Sequence, residues 1–243
     1  MEKTVVLIHG YGFDYRTWYP VELGFDGYKI IYLSLPGFGV DEPTEGYSIA
    51  SLARMFWSSI DETGHQEVHL AGHSMGGYVC LEMAAQQPNR VGSLALIHSH
   101  VFADAPEKQK QRTATMDQIK QHGRAGVVRK MIPSLFAPDF GATGIIMALV
   151  NRGLAYSDRA WSFGAGALRD RSDHTETLKN IRVPVLMIAG EKDAAVPMDW
   201  VLQQASLPEC NILHVYPGVG HMAMYENTSR TICDLADFYA AFL

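Results

Sequence analysis

At 243 residues, 47% hydrophobic and 19% charged, the chain has the composition of a globular protein with a sizeable core, which excludes disordered and collagen-like classes. Its length suits one α/β domain built around a single core and carrying an insertion. The formal charge of -6 and a sequence pI near 5.9 lack the basic footprint of a nucleic-acid binder.

The chain opens on a β-branched run at residues 4–8, and similar short runs follow at 30–33, 68–71, 94–97, 185–189 and 212–216. These predict buried parallel strands. Segments with helical spacing lie among them at 48–63, 76–87, 198–205 and 223–242, several closed by Pro or Gly. Such alternation predicts βαβ units, a parallel sheet and helices on both of its faces. The pattern breaks over residues 101–172, where 107–122, 126–132, 143–156 and 159–169 read as successive helices without a strand. We therefore expect a core of residues 1–100 and 173–243, with a helical lid over 101–172 inserted after the third strand–helix unit.

Four apolar residues precede His9, too few for a signal-peptide core or a membrane span. Cys80, Cys210 and Cys233 are odd in number, widely spaced and without a CxxC pair, which predicts buried free thiols in a reducing compartment. Together these predict a cytoplasmic protein with no membrane contact.

The chemistry concentrates at Gly72-His73-Ser74-Met75-Gly76-Gly77, which follows one predicted strand and opens a predicted helix. A serine on so sharp a turn is strained, and glycines two residues either side remove the side chains that would clash there. Taken alone the motif is weak, because a Gly-rich turn needs no serine. Two further features strengthen it. Asp193 lies in Gly190-Glu191-Lys192-Asp193, just past the run at 185–189, and His221 closes Gly218-Val219-Gly220-His221, just past the run at 212–216. All three residues fall at carboxyl ends of parallel strands, where open α/β sheets bind ligands, and in the order Ser, Asp, His. In this reading His221 takes the Ser74 proton, Asp193 orients the imidazole, and the backbone N–H groups of Met75 and Tyr11 receive the developing oxyanion.

These stretches, with VVLIHGYG at the start, LPGFG at 35–39, PVLMIAGEKDAAVP and GVGHMAMYE, resemble the α/β-hydrolase superfamily, in particular its small, lidded serine esterases and lactonases. The resemblance implies an eight-stranded fold whose N-terminal antiparallel hairpin is missing here, leaving about six strands, mainly parallel. It implies hydrolysis of a small carboxylic ester or lactone through an acyl-enzyme. Relatives with the same triad include C–C bond hydrolases, thioesterases, perhydrolases, hydroxynitrile lyases and ligand-binding receptors with negligible turnover. Ser74 stands where the similar haloalkane dehalogenases carry an Asp, which disfavours dehalogenation, and Ser34 replaces an Asp frequent before the LPGFG turn.

For the substrate pocket the expected residues are His98, His100, Phe102, Trp161 and Met222. His98 and His100 lack nearby carboxylate or cysteine partners in sequence, so no metal and no cofactor are expected. Residues 107–130 carry Lys108, Lys110, Arg112, Lys120, Arg124, Arg129 and Lys130 against Glu107 and Asp117, a local charge of +5. A solvated helix face is the ordinary explanation. The sharper expectation is a docking surface for an acidic carrier protein, which the resemblance to carrier-protein methyl esterases permits.

Overall fold

The structure, a computed structural model, describes residues 3–241. Six strands form one sheet: β1 (Thr4–Ile8), β2 (Lys29–Leu33), β3 (Val68–His73), β4 (Val91–Ile97), β5 (Val185–Gly190) and β6 (Asn211–Tyr216). Their order is β2-β1-β3-β4-β5-β6 and every pairing is parallel. The four central strands are almost wholly buried, while the edge strands β2 and β6 are only partly so. That is why the central runs read as continuous apolar segments: both faces are covered.

Side chains alternate between the faces with the two-residue period of a strand. Val6, Ile8, Leu70, Leu94, Leu96, Val185 and Met187 join one core layer, with α1 (Ile49–Thr63) and α2 (Met75–Gln86) packed over it. Val5, Leu7, Ala71, Ala95, Ile97, Leu186 and Ile188 face the other layer, under the C-terminal helices and a 3-10 helix at Tyr15–Phe25. The sequence did not announce that 3-10 segment, in which Pro20 interrupts regular spacing. The N-terminus of α1 is fixed by a capping box between Ser48 and Ser51, and its end by Gly64 in the left-handed conformation.

Between β4 and β5 the chain runs through α3 (Pro106–His122), α4 (Ala125–Ser134), α5 (Thr143–Ala155), α6 (Asp158–Arg169) and α7 (Thr175–Asn180). The two ends of this insertion meet where the His174 N–H donates to Val101 O at 2.8 Å. Trp161 anchors the insertion to the sheet. It is fully buried, donates from Nε1 to Gly153 O at 2.9 Å and meets the Tyr11 ring edge-on at 4.9 Å between centroids. Its ring fills the space in front of Gly12, where any Cβ would come within 2.4 Å. A second anchor is buried Asp14, whose carboxylate accepts from the Tyr156 hydroxyl at 2.5 Å and from the Arg16 guanidinium.

After β5 come α8 (Met198–Ala205) and, beyond β6, α9 (Ala223–Glu226) and α10 (Thr228–Ala241). The single helix expected over 223–242 is thus broken at Asn227, whose extended φ of -145° leaves Glu226 free to hold the preceding loop; Phe242 lies outside the described residues. Cys80 is buried as expected, but Cys210 and Cys233 are exposed, because one precedes the edge strand β6 and the other lies on the outer side of α10. Among the described residues no helix is long and apolar enough to cross a membrane.

Trp161→Ala removes a fully enclosed side chain and one hydrogen bond, and is expected to lower the unfolding free energy by about 3–5 kcal/mol, measured by urea denaturation. A loss under about 1 kcal/mol would contradict the anchoring role.

Candidate active site

The strand order reverses between β2-β1 and β3, so the carboxyl ends of β1 and β3 open onto a crevice. Ser74 stands there, between the last residue of β3 and the first of α2. Its backbone sits at φ 52°, ψ -116°, a conformation that L-residues rarely adopt. Four hydrogen bonds hold it: Ser74 N–H to Ile97 O at 2.9 Å, Gly77 N–H to Ser74 O at 2.9 Å, Tyr78 N–H to Ser74 O at 3.4 Å, and Ser99 Oγ to Ser74 O at 2.9 Å. The glycines are dictated by space, since a Cβ on Gly76 would lie 2.1 Å from Ile8 O and one on Gly72 would lie 2.4 Å from the Gly76 backbone. Gly10, after β1, comes so near the nucleophile turn that a Cβ there would be 3.2 Å from Ser74 Cβ. Tyr11 follows directly, and Met75 begins α2, where N–H groups precede the first intrahelical bond. Both backbones therefore flank Ser74.

Asp193 and His221 lie in the loops after β5 and β6. His221 Nδ1 donates to Asp193 Oδ2 at 2.7 Å, with both side chains almost wholly buried. The other carboxylate oxygen, Oδ1, accepts from the Ala195 N–H at 2.8 Å and the Val196 N–H at 3.0 Å. Burial pushes the carboxyl upward, but the His221 charge and the hydrogen bonds from His221 and His98 outweigh it, holding Asp193 well below the usual carboxylate range. Ser74 and His221 line one cavity of about 340 Å³. Among the described residues the Ser74 hydroxyl makes no hydrogen bond.

The His221 backbone is fixed from two sides. Its N–H donates to Leu135 O at 2.7 Å, and its carbonyl accepts from His73 Nε2 at 3.0 Å. Glu226 completes the loop: Oε2 accepts from Gly220 N–H at 3.0 Å and from Ala137 N–H at 2.8 Å, and Oε1 accepts from Met222 N–H at 3.0 Å. One carboxylate thus ties the histidine loop to the insertion. Sequence reasoning gave Glu226 no part, although it closes the GVGHMAMYE stretch.

Of the five expected pocket residues only His100 borders the cavity. His98 is instead buried behind Asp193. Its Nε2 accepts from the Ala223 N–H at 3.3 Å, so its proton is on Nδ1, which donates to Asp193 Oδ2 at 3.0 Å. Its backbone, at φ 49°, turns the ring inward rather than toward substrate. Trp161 is core, as described above. Met222 is fully buried in the main core layer, and Phe102 stacks on His100 with centroids 5.9 Å apart, outside the cavity wall. The cavity is lined instead by Tyr78, Asp104, Lys108, Arg112, Arg171 and Trp200, among others. The i, i+4 spacing of Lys108 and Arg112 was the available signal, since it puts both on one helix face.

His98, Asp193 and His221 bring ligand-type atoms within 4.8 Å of one another. Both imidazoles present a donor N–H to the same oxygen, and His98 has its lone pair occupied by Ala223, so this donor set is that of a hydrogen-bonded cluster. His9 is structural too: its Nδ1 donates to Gly10 O at 2.9 Å while Nε2 accepts from the Leu35 N–H at 3.0 Å, pinning the LPGFG turn.

Residues 3–228 match the family described as alpha/beta hydrolase fold, and the chain belongs to that family of hydrolases. It is 30% identical over 241 residues to the dihydrolipoyllysine-residue acetyltransferase component of the acetoin cleaving system of Cupriavidus necator, covering 93% of this chain and 61% of that protein. The chain therefore spans less than two thirds of that relative's length. A 2-hydroxy-6-oxononadienedioate/2-hydroxy-6-oxononatrienedioate hydrolase of Escherichia coli is 27% identical over 245 residues, covering 93% of this chain and 83% of its own. In structure the chain is similar to an esterase from Thermogutta terrifontis, with TM-score 0.93, 23% identity and coverage of 100% and 91% of the two chains. It is also similar to the enol-lactonase of Burkholderia xenovorans LB400, with TM-score 0.90, 19% identity and coverage of 99% and 92%. At these identities the structural likeness shows the fold alone.

Burial lowers the His9 ring to about 4 and the His100 ring to about 3, and holds His73 and His98 below the ordinary value. These rings stay neutral when folded and bind protons near pH 6.5 when unfolded. Protonation thus favours the unfolded chain: their contribution is complete above pH 6.5 and falls as the pH drops toward 4. Chemical denaturation is expected to show steep destabilisation across that window, with His9 alone accounting for up to about 3 kcal/mol. A flat stability profile between pH 6.5 and 4 would contradict the buried neutral assignment.

Proposed function

We propose that the protein is a serine hydrolase that cleaves a small carboxylic ester or lactone through an acyl-enzyme. The observation that carries this reading is the Asp193–His221 hydrogen bond at 2.7 Å beside a strained Ser74, with Ser74 and His221 facing the same cavity. A serine hydroxyl is a weak nucleophile near neutral pH and needs a base. His221 donates through Nδ1 to Asp193, so Nε2 is the nitrogen free to take the Ser74 proton as the hydroxyl attacks the substrate carbonyl. The carboxylate then faces an imidazolium, which it stabilises while remaining ionised. The oxyanion is received by the backbone N–H groups of Tyr11 and Met75, which the closeness of Gly10 to Ser74 and the start of α2 favour. His221 returns its proton to the leaving alcohol, and water attacks the acyl-enzyme by the same route in reverse.

We read residues 101–172 as a lid over this site. Its first residue, Val101, meets His174 just beyond its last, and its 135–137 segment binds the His221 loop. A second reading, C–C bond hydrolysis on the same triad, is favoured by the Escherichia coli relative at 27% identity.

Wild-type protein is expected to hydrolyse members of a panel of p-nitrophenyl esters and lactones, and Ser74→Ala to lose at least about 1,000-fold in kcat. Equal rates for the two would remove Ser74 from the mechanism, and high-affinity binding without turnover would favour a receptor. Mass spectrometry after treatment with an organophosphate probe is expected to show the adduct on Ser74 and nowhere else.

A further inference from the structure

The cavity over Ser74 carries an imbalance of charge. Lys108, Arg112 and Arg171 line it with one carboxylate, Asp104. The Asp104 side chain is 3% exposed and already receives Arg171 Nη1 at 2.7 Å and Arg112 Nε at 3.1 Å. Arg171 is held from several sides: it also donates to the carbonyls of Leu168 and Phe102 and lies 4.4 Å over the Tyr78 ring. Arg112 and Lys108 are not. Among the described residues the one hydrogen bond from Arg112 uses Nε, leaving its outer fork open, and Lys108 Nζ has neither a hydrogen-bond nor an ion-pair partner.

Four residues apart on α3, Lys108 and Arg112 present one face to the cavity. Among the residues lining this space of about 340 Å³ three cations share one carboxylate, an excess of two positive charges, and like charges held together repel. Partial desolvation first, and the neighbouring Arg112 second, hold the Lys108 ammonium below its ordinary value against the opposing charge of Asp104. The basic run that looks in sequence like one outer surface is in fact divided. Arg112 is half-buried in the cavity wall, Lys108 borders the cavity at its solvent-exposed rim and Arg124 is bound to Asp158 and Leu154 O, whereas the exposed Lys110, Lys120, Arg129 and Lys130 lie outside the cavity. That division favours a small anion inside the cavity over an acidic protein on its outside.

We propose that Lys108 and the open fork of Arg112 form an anion subsite, and that the substrate carries a free carboxylate apart from its scissile carbonyl. This rests on the ester-hydrolase reading above and names the class of ester. A planar carboxylate matches the two-pronged guanidinium, and the cavity fits a short dicarboxylic half-ester.

The test compares monomethyl glutarate with its neutral dimethyl ester, following methanol release, and measures glutarate binding by calorimetry. Wild-type kcat/KM is expected to favour the half-ester by about tenfold or more at low salt, a preference that shrinks as ionic strength rises. Lys108→Glu and Arg112→Gln are each expected to lower the ratio of the two rates by about tenfold, whereas Lys120→Glu, on the last turn of α3 outside the cavity, leaves it in place. Hydrolysis of both esters without preference would overturn the subsite and leave the hydrolase reading standing. Turnover of neither, with glutarate binding that Lys108→Glu abolishes, would support the subsite and sink the hydrolase reading. A loss in Lys120→Glu equal to that in Lys108→Glu would assign the effect to a diffuse surface field and overturn the proposal. Inorganic phosphate binding as tightly as glutarate would overturn the carboxylate assignment.

Discussion

Everything at the candidate site depends on one close approach, that of Gly76 at the start of α2 to the carbonyls of Ile8 and His9 at the end of β1. The contact leaves no room for a Cβ, and it is possible only because β1 and β3 are adjacent and the chain reverses sharply at Ser74. A residue at φ 52°, ψ -116° costs of order 1–3 kcal/mol, so the surroundings must over-determine it. They do so through β4, whose Ile97 carbonyl takes the Ser74 N–H, and through Ser99, whose hydroxyl takes the place of a second donor strand. The same approach sets the turn after β1 against Ser74, so Ser74 and the flanking N–H groups are positioned by a single packing event.

The acid–base half of the site is built on a buried carboxylate with all its main acceptor positions filled. Asp193 takes two backbone N–H groups on one oxygen and two imidazoles on the other. Such a group is expensive to bury alone and stable when fully bonded. His73, His98 and His221 crowd together, with ring centroids 5.1 to 6.1 Å apart, and this is tolerable because burial keeps His73 and His98 neutral. The insertion takes part in this half directly. Leu135 O and the Ala137 N–H reach the His221 loop, the second through Glu226, so the loop order depends on the helices packed above it.

Charge is distributed against the overall balance. A chain with net charge -6 lines the cavity beside Ser74 with three cations and one carboxylate, a local balance opposite in sign to that of the whole molecule, with the buried Asp193 carboxylate behind His221. A small anionic ligand would find complementary charge at the cavity and nowhere in the average.

The sequence by itself determined the six parallel strands, the break in their alternation, and the positions of Ser74, Asp193 and His221 at strand ends. These are local properties: apolar runs, glycines that permit a turn, and polar residues placed just past a run all survive in one dimension. The pocket was not legible in that way. His98 stands two residues from His100 along the chain, yet a positive φ sends its ring behind Asp193 while His100 faces the cavity. Trp161 and Met222 carry the apolar surface expected of a pocket and are enclosed as core, and the Lys108–Arg112 face borders the cavity although its composition reads as an outer surface. Glu226 has two backbone donors within the His221 loop, Gly220 and Met222, and acquires the third, Ala137, only when the insertion lies beside that loop. Which way a side chain faces, and which backbone groups reach it, is fixed by how the helices between β4 and β5 close over the sheet, and that packing has no counterpart in local spacing.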